Sequence, residues 1–288
     1  MNYYRHFNKT EAERLIRQAL KEDIGKGDVT SNLLIPEKSV SKAELLIKEN
    51  GIIAGLNIFR TVFSILDKSI KINFYKKEGE AVYKNDIAGI VKGNTRKLLA
   101  GERVALNILQ RMSGIATMTA KITQRLNNPS IKIIDTRKTT PNFRLFEKLA
   151  VTAGGGENHR FGLYDMILIK DNHIEANGGI SNTLRILKKK YRSVKCRVEI
   201  EVKNISELKI VLTEGIGIVD RIMLDNFSKK DITIAAKLNN GLYELELSGG
   251  ISFDNVNKFS NLKGVNYISS GSLTHSVNSL DISFNFIT

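Results

Sequence analysis

The sequence predicts an α/β fold whose second half is a parallel sheet alternating with helices, and three observations carry that prediction. Six short apolar runs follow one another after residue 130: Ile131 to Asp135, Met166 to Ile169, Val198 to Val202, Ile222 to Leu224, Tyr243 to Leu247 and Val265 to Ile268. The runs are continuously apolar rather than alternating, as expected of strands buried on both faces of a parallel sheet. Each ends in a polar or glycine-containing turn and is followed by loop or helix signals. A stretch of about 150 residues with this rhythm suits a barrel of the TIM type with fewer than eight strands.

The first half reads differently. Residues 9 to 22 form a helix, with Ala12, Leu15, Ile16, Ala19 and Leu20 on one face. Thr10 is the expected N-cap, with Glu13 three residues on as in a capping box, and Gly25 and Gly27 end the element. Ala43 to Ile47 and Gly51 to Gly55 read as strands, with a helix near Ile58 to Leu66. Glu102 to Leu126 reads as one long helix, in which Gly114 marks a point of close packing. No repeat of fixed period and no low-complexity segment is present.

Composition narrows the function classes. The chain has 288 residues, 42% hydrophobic and 26% charged, enough for a substantial core under a polar surface. No apolar run approaches the roughly 18 residues of a membrane span. The start, Met1-Asn2-Tyr3-Tyr4-Arg5-His6, has no signal-peptide pattern. Cys196 is the one cysteine and has no internal disulfide partner, so a reducing cytoplasm is expected. The formal charge of +14 fits either nucleic-acid binding or a pocket for an anionic small molecule on a lysine-rich chain. The lysines are scattered and no aromatic residues interleave with them, and the cations placed below favour the small molecule.

Polar residues gather at the strand ends. Asp135-Thr136-Arg137-Lys138 follows the first run and Lys170-Asp171-Asn172-His173 the second. Glu199 and Glu201 lie in the third, and Asp225-Asn226 ends the fourth. Ser248-Gly249-Gly250 and Ser269-Ser270-Gly271 follow the last two. In an α/β barrel these ends open on one face, where active sites are built. Any one of these residues could merely cap a loop, but six coinciding groups of this kind form a site. The final pair of glycine turns suggests a phosphate held by backbone N–H groups. Glu201 and Asp225 read as partners of magnesium or ribose hydroxyls, or alternatively as carboxylates paired with a neighbouring lysine. Arg103, Arg137, Lys138, His159, Arg160 and Lys170 are the cations available to anions, and several arginines suit a ligand with more than one carboxylate or phosphate. His173 and His275 read as structural hydrogen-bonders.

Several blocks taken together resemble the quinolinate phosphoribosyltransferase family: Asp135-Thr136-Arg137-Lys138-Thr139-Thr140-Pro141, Gly154 to Leu163 and Leu168 to His173. Gly25 to Ser31, Gly101 to Asn107, Ser113 to Thr117, Glu199 to Val202, Met223 to Asn226, Ser248 to Ile251 and Gly271 to Ser276 continue the likeness in the family's order. The resemblance implies an N-terminal α/β sandwich over residues 1–112. It implies an incomplete, seven-stranded type of α/β barrel over 113–272, as in the type II phosphoribosyltransferases, and a C-terminal segment, 273–288, returning to the first domain. The implied activity transfers phosphoribosyl from phosphoribosyl pyrophosphate to quinolinate with loss of carbon dioxide, giving nicotinate mononucleotide for NAD biosynthesis.

The same resemblance implies the roles of individual residues. Arg137 and Arg160 bind the dicarboxylate, helped by His159 and Lys170, and Arg103 is shared across a homodimer. Lys138, Glu201 and Asp225 serve the phosphoribosyl pyrophosphate, with Glu201 and Asp225 at Mg²⁺ and Lys138 and Lys170 open to more direct roles. Ser248, Gly249, Gly250, Ser270 and Gly271 hold the 5′-phosphate. Two departures stand out. Asn142 replaces a common glycine, and Glu157 replaces a common lysine near the anion site. Two rival readings of other classes are a barrel lyase using Lys170 as a Schiff base and a nucleic-acid-binding protein.

Overall fold

The computed structural model describes residues 8–191 and 196–287; the N-terminal hexapeptide read above lies outside these residues. In chain order, the first half comprises α1 (Lys9–Ile24), α2 (Val29–Leu34), β1 (Val40–Ile47), β2 (Gly51–Ile52), α3 (Leu56–Leu66), β3 (Lys71–Phe74), β4 (Ala81–Val82), β5 (Ile87–Asn94) and α4 (Thr95–Leu126). The second half continues with β6 (Lys132–Ile134), α5 (Arg144–Ala153), β7 (Ile167–Ile169), α6 (Asp171–Ala176), α7 (Ile180–Lys190), β8 (Val198–Val202) and α8 (Ile205–Glu214). It ends with β9 (Arg221–Asp225), α9 (Lys229–Asn239), β10 (Glu244–Ser248), β11 (Tyr267–Ser269), α10 (Ser272–His275) and β12 (Ile282–Ile287). Two compact units divide the chain. The first takes the described residues through Ala120, then Thr139–Gly156 and the chain from Leu273 on; the second takes Lys121–Lys138 and Glu157–Ser272.

The first unit is built on an antiparallel sheet in the order β12-β1-β5-β3, with β2 and β4 pairing separately. Ala43, Leu45 and Ile47 turn one face of β1 inward and are fully buried, while Lys42 and Glu44 occupy the other face, as period-two alternation requires. Phe59 and Phe63 of α3 meet at 5.0 Å between ring centroids, and Phe284 of β12 stacks on Phe63 at 5.9 Å. Gly114 does sit at a close approach: a Cβ there would lie 2.1 Å from the Asn278 carbonyl oxygen. Glu147, fully buried in α5, accepts hydrogen bonds from Arg111 Nη2 at 2.9 Å and from the Thr140 backbone N–H at 3.1 Å.

Two expectations for this unit need correction. Asn8, not Thr10, caps α1: its side chain accepts from the Glu11 backbone N–H at 3.1 Å. Asparagine is the stronger N-cap, and using it starts the helix one residue before Thr10. The long helix begins at Thr95 rather than Glu102. Gly101 does not break it but brings it close to α3, where a Cβ would stand 2.7 Å from Leu66 Cδ1.

The second unit carries a six-stranded sheet in the order β6-β11-β10-β9-β8-β7. All its printed pairings are parallel, and each strand lies within two residues of its predicted run. Glu157 adds an isolated parallel bridge to Ile134 beyond β6, so the seventh position is held by a single bridging residue. This is an incomplete α/β barrel. β8 is buried at every position, charged ones included.

Candidate active site at the strand ends of the second unit

The sheet register decides which side chains share a layer. Glu199 stands beside Arg221, and Glu201 beside Met223; Arg221 in turn pairs with Glu244, Met223 with Glu246 and Asp225 with Ser248. Side-chain contacts cut across this register, since Arg221 Nη1 reaches Glu246 Oε2 at 3.1 Å and Glu199 Oε2 at 3.8 Å, and they sort the polar groups into two sets. Glu199, Arg221 and Glu246 form a buried one, while Glu201, Asp225 and Ser248 stand at the strand ends.

At the strand ends, Lys170 Nζ lies 3.9 Å from Glu201 Oε2, with its own side chain half exposed. Burial pushes the Glu201 carboxyl above the usual carboxylate range; Lys170 pulls it back down, and the neighbouring charges of Asp225 and Asp171 raise it further. Two carboxyl groups set side by side leave room for a cation. Asp225 also accepts from Asn226 Nδ2 at 2.8 Å. Lys170 is open to solvent rather than sealed in an apolar pocket, which does not fit the desolvated Schiff-base lysine.

Arg137 and Lys138 stand on the loop after β6, and Arg160 on the segment between α5 and β7. Arg160 is partly buried, and its guanidinium is held below its ordinary pKa first by that burial and next by the positive charge of Arg137. Arg160 Nη1 donates to the Met166 carbonyl at 3.1 Å, whereas its Nε is buried and meets no hydrogen-bond partner among the described residues. A guanidinium with a buried unsatisfied N–H beside a second guanidinium can receive an anion. Lys138 follows on the same loop, with its backbone N–H on Thr136 Oγ1 at 3.0 Å.

The segment that presents Arg160 is fixed by Asp135, fully buried at the end of β6. Its carboxylate accepts from Asn158 Nδ2 at 2.6 Å and from the His159 backbone N–H at 3.0 Å. His159 Nδ1 accepts the Arg160 backbone N–H at 2.7 Å. His173 acts alike at the start of α6, where its Nδ1 accepts the Lys170 backbone N–H at 2.9 Å. His275 Nδ1 lies 2.6 Å from Ser276 Oγ, so both histidines expected to be structural make local hydrogen bonds.

The two glycine turns are tied together. Ser270 Oγ donates to the Ile251 carbonyl at 2.6 Å and lies 2.7 Å from Ser272 Oγ. Gly249 and Gly250 both have positive φ, at 110° and 58°. A Cβ on Gly249 would fall 2.2 Å from Asn226 Oδ1, so no larger residue fits this turn.

Of the other expected residues, Arg103 belongs to the first unit, where its side chain is largely exposed and its Nε lies 3.9 Å from Glu102 Oε1. Asn142 takes φ = 60°, a left-handed conformation that glycine adopts freely and asparagine tolerates best among the rest. That accounts for this departure. Arg221 and Glu246 went unrecognised as site residues, as did the set they form with Glu199. The signal was available: β10 repeats the Glu-x-Glu alternation of β8 inside an apolar run.

Comparison with known proteins bears on the whole chain. The model of the quinolinate phosphoribosyl transferase C-terminal domain matches residues 115–285, and that of the N-terminal domain matches 28–113. The chain is 44% identical over 278 residues to a probable nicotinate-nucleotide pyrophosphorylase (carboxylating) of Bacillus subtilis, covering 96% of this chain and 93% of that one. It is 42% identical to the chloroplastic nicotinate-nucleotide pyrophosphorylase (carboxylating) of Arabidopsis thaliana, covering 96% of this chain and 83% of that one. Its fold matches a crystal structure of NadC from Streptococcus pyogenes with a TM-score of 0.91 at 39% identity, covering 98% and 99% of the two chains. No helix among the described residues is long and apolar enough to cross a membrane.

Proposed function

The chain belongs to the quinolinate phosphoribosyltransferase family, and from that premise we propose how its residues divide the work. The protein is a pentosyltransferase that forms nicotinate mononucleotide, carbon dioxide and pyrophosphate from quinolinate and phosphoribosyl pyrophosphate. The observation that carries the residue assignment is the buried, unsatisfied Nε of Arg160 beside the charge of Arg137. Leaving the buried Arg160 N–H unpaired costs on the order of 1–3 kcal/mol, and a dicarboxylate supplies an acceptor for it.

Arg137 and Arg160 hold the two carboxylates of the pyridine, with Lys170 and His159 beside them. Lys138 reaches the pyrophosphate. The linked turns at Ser248, Gly249 and Gly250 and at Ser270 and Gly271 take the 5′-phosphate on backbone N–H groups. Glu201 and Asp225 suit Mg²⁺, because a dication between them relieves their mutual repulsion. Bound there, it would supply positive charge toward the pyrophosphate group. Orientation is the protein's main contribution: the pyridine nitrogen must face C1 of the ribose as the pyrophosphate leaves. The nitrogen then carries positive charge, so the ring accepts the electron pair left at C2 when the carboxylate departs as carbon dioxide. A proton at C2 completes the product.

Arg103 completes the site of a second copy, which makes the working unit a homodimer; a cytoplasmic setting accords with the unpaired Cys196. The experiment mixes two variants, Arg103→Ala and Lys138→Ala, each expected to lose most activity alone. Random exchange makes up to about half the dimers hybrids, each with one intact site, so nicotinate mononucleotide formation should recover to about a quarter of wild type. No recovery despite demonstrated subunit exchange means that Arg103 acts within its own chain.

A further inference from the structure

Glu199, Glu246, Arg221 and His159 form a buried group, and none of the roles above uses its two glutamates. His159 Nε2 stands 3.0 Å from Glu199 Oε2, a close polar contact not aligned as a hydrogen bond, and 3.6 Å from Glu246 Oε2. Arg221 Nη1 lies 3.1 Å from Glu246 Oε2 and 3.8 Å from Glu199 Oε2, and its Nε is 3.2 Å from Glu244 Oε2. The guanidinium also lies over the Tyr267 ring, 3.9 Å from its centroid.

A metal ion is the first alternative, since the ligand atoms of His159, Glu199 and Glu246 all lie within 4.8 Å of one another. Arg221 opposes it. A guanidinium already shares both carboxylates, and a dication would face that charge across the same oxygens. Arg221 faces Glu199, while burial favours a proton on Glu246.

The geometry at His159 points elsewhere. Its Nδ1 accepts the Arg160 backbone N–H at 2.7 Å, so the lone pair must be on Nδ1. The ring proton is then on Nε2, facing Glu199. A carboxylate that fixes the far nitrogen of a histidine sets which nitrogen is left to act. We propose that Glu199 is a positioning residue that locks His159 as the Nε2–H tautomer. Nδ1 thereby keeps its hold on the Arg160 backbone, and the Arg160 guanidinium stays aimed at the substrate carboxylate. Arg221, pinned by Glu244 and Glu246, keeps Glu199 in place. The proposal rests on the assignment of Arg160 to the dicarboxylate. It also makes His159 act through Arg160 rather than as a proton donor from Nδ1.

Imidazole ¹⁵N spectroscopy of the full chain, labelled at its four histidines, tests this without substrate. The His159 resonances, assigned by their loss in His159→Gln, should show a bare Nδ1 and a protonated Nε2. An Nδ1–H tautomer or an imidazolium at neutral pH overturns the proposal outright, and this result needs no variant in the cluster. Glu199→Gln retains an acceptor and should keep both the tautomer and the KM for quinolinate. Glu199→Leu removes the acceptor; it should mix the tautomers and raise that KM about tenfold, as misplacement of a binding group does, with the KM for phosphoribosyl pyrophosphate unchanged. A folded Leu variant with the wild-type tautomer and KM overturns the proposal too. If Leu does not fold, the wild-type spectrum and Glu199→Gln decide. Failure of quinolinate turnover would remove the role given to Arg160 and leave the tautomer result intact, so the two can fail separately.

Discussion

β1 and β8 both face the interior of their units, but they fill it in opposite ways. β1 buries Ala43, Leu45 and Ile47 and leaves its charged residues on the outer face. β8 buries all five of its residues, including Glu199 and Glu201. Burying apolar area stabilises directly, by roughly 25 cal/mol per Å², whereas a buried carboxylate is costly unless partnered. The first sheet thus stabilises the fold directly, while the second carries a cost that the proposed site would explain. Substitutions should separate the two.

The largest effect on stability is expected in β1. Leu45→Ala opens a cavity against a fully buried side chain and should lower unfolding free energy by about 2–5 kcal/mol. Urea unfolding measures this, and kcat/KM below the transition should stay near wild type. A loss of activity without a loss of stability would break the comparison.

Arg137→Lys should act the other way round. Lysine keeps the charge but not the bidentate fork. We expect kcat/KM for quinolinate to fall about a hundredfold, about 2.7 kcal/mol of transition-state stabilisation, with the unfolding midpoint unchanged. Near-normal kinetics would remove Arg137 from the substrate site.

A smaller effect concerns pH. Burial pushes the Glu246 carboxyl from 4.5 to about 8, so the folded protein holds a proton that the unfolded chain releases. The stability this contributes is full below pH 4.5 and is lost as pH rises through about 8, with a slope of at most about 1.4 kcal/mol per pH unit. Glu246→Gln, which has no such proton, should flatten the dependence between about pH 5 and 8. Leu45→Ala should leave it unaltered. Equal slopes for wild type and Glu246→Gln would contradict a protonated Glu246.

Much of this architecture was legible because it is local. Parallel strands buried on both faces announce themselves as apolar runs, and all six were placed within two residues. The glycine turn at Gly249 is legible as a turn, though the contact with Asn226 that demands glycine there is not. What escaped depends on distant partners. The Phe59, Phe63 and Phe284 cluster joins residues over 200 positions apart. Arg221 sits at the first position of β9, and a charge there reads as the end of a loop until Glu199 and Glu246 flank it. The start of α4 was missed because Gly101 looks like a breaker, and only the nearness of Leu66 shows it to be a contact.

On the proposed assignment, the cations at the strand ends of the second unit serve two carboxylates. The most direct measurement compares kcat/KM for quinolinate and for nicotinate, each with phosphoribosyl pyrophosphate and Mg²⁺, by formation of nicotinate mononucleotide. Nicotinate would leave the cations meant for the second carboxylate unpaired in a partly buried site, at about 1–3 kcal/mol for each unsatisfied group. Quinolinate should therefore be preferred by about a hundredfold or more, releasing one carbon dioxide per nucleotide. Comparable turnover of nicotinate would contradict the account.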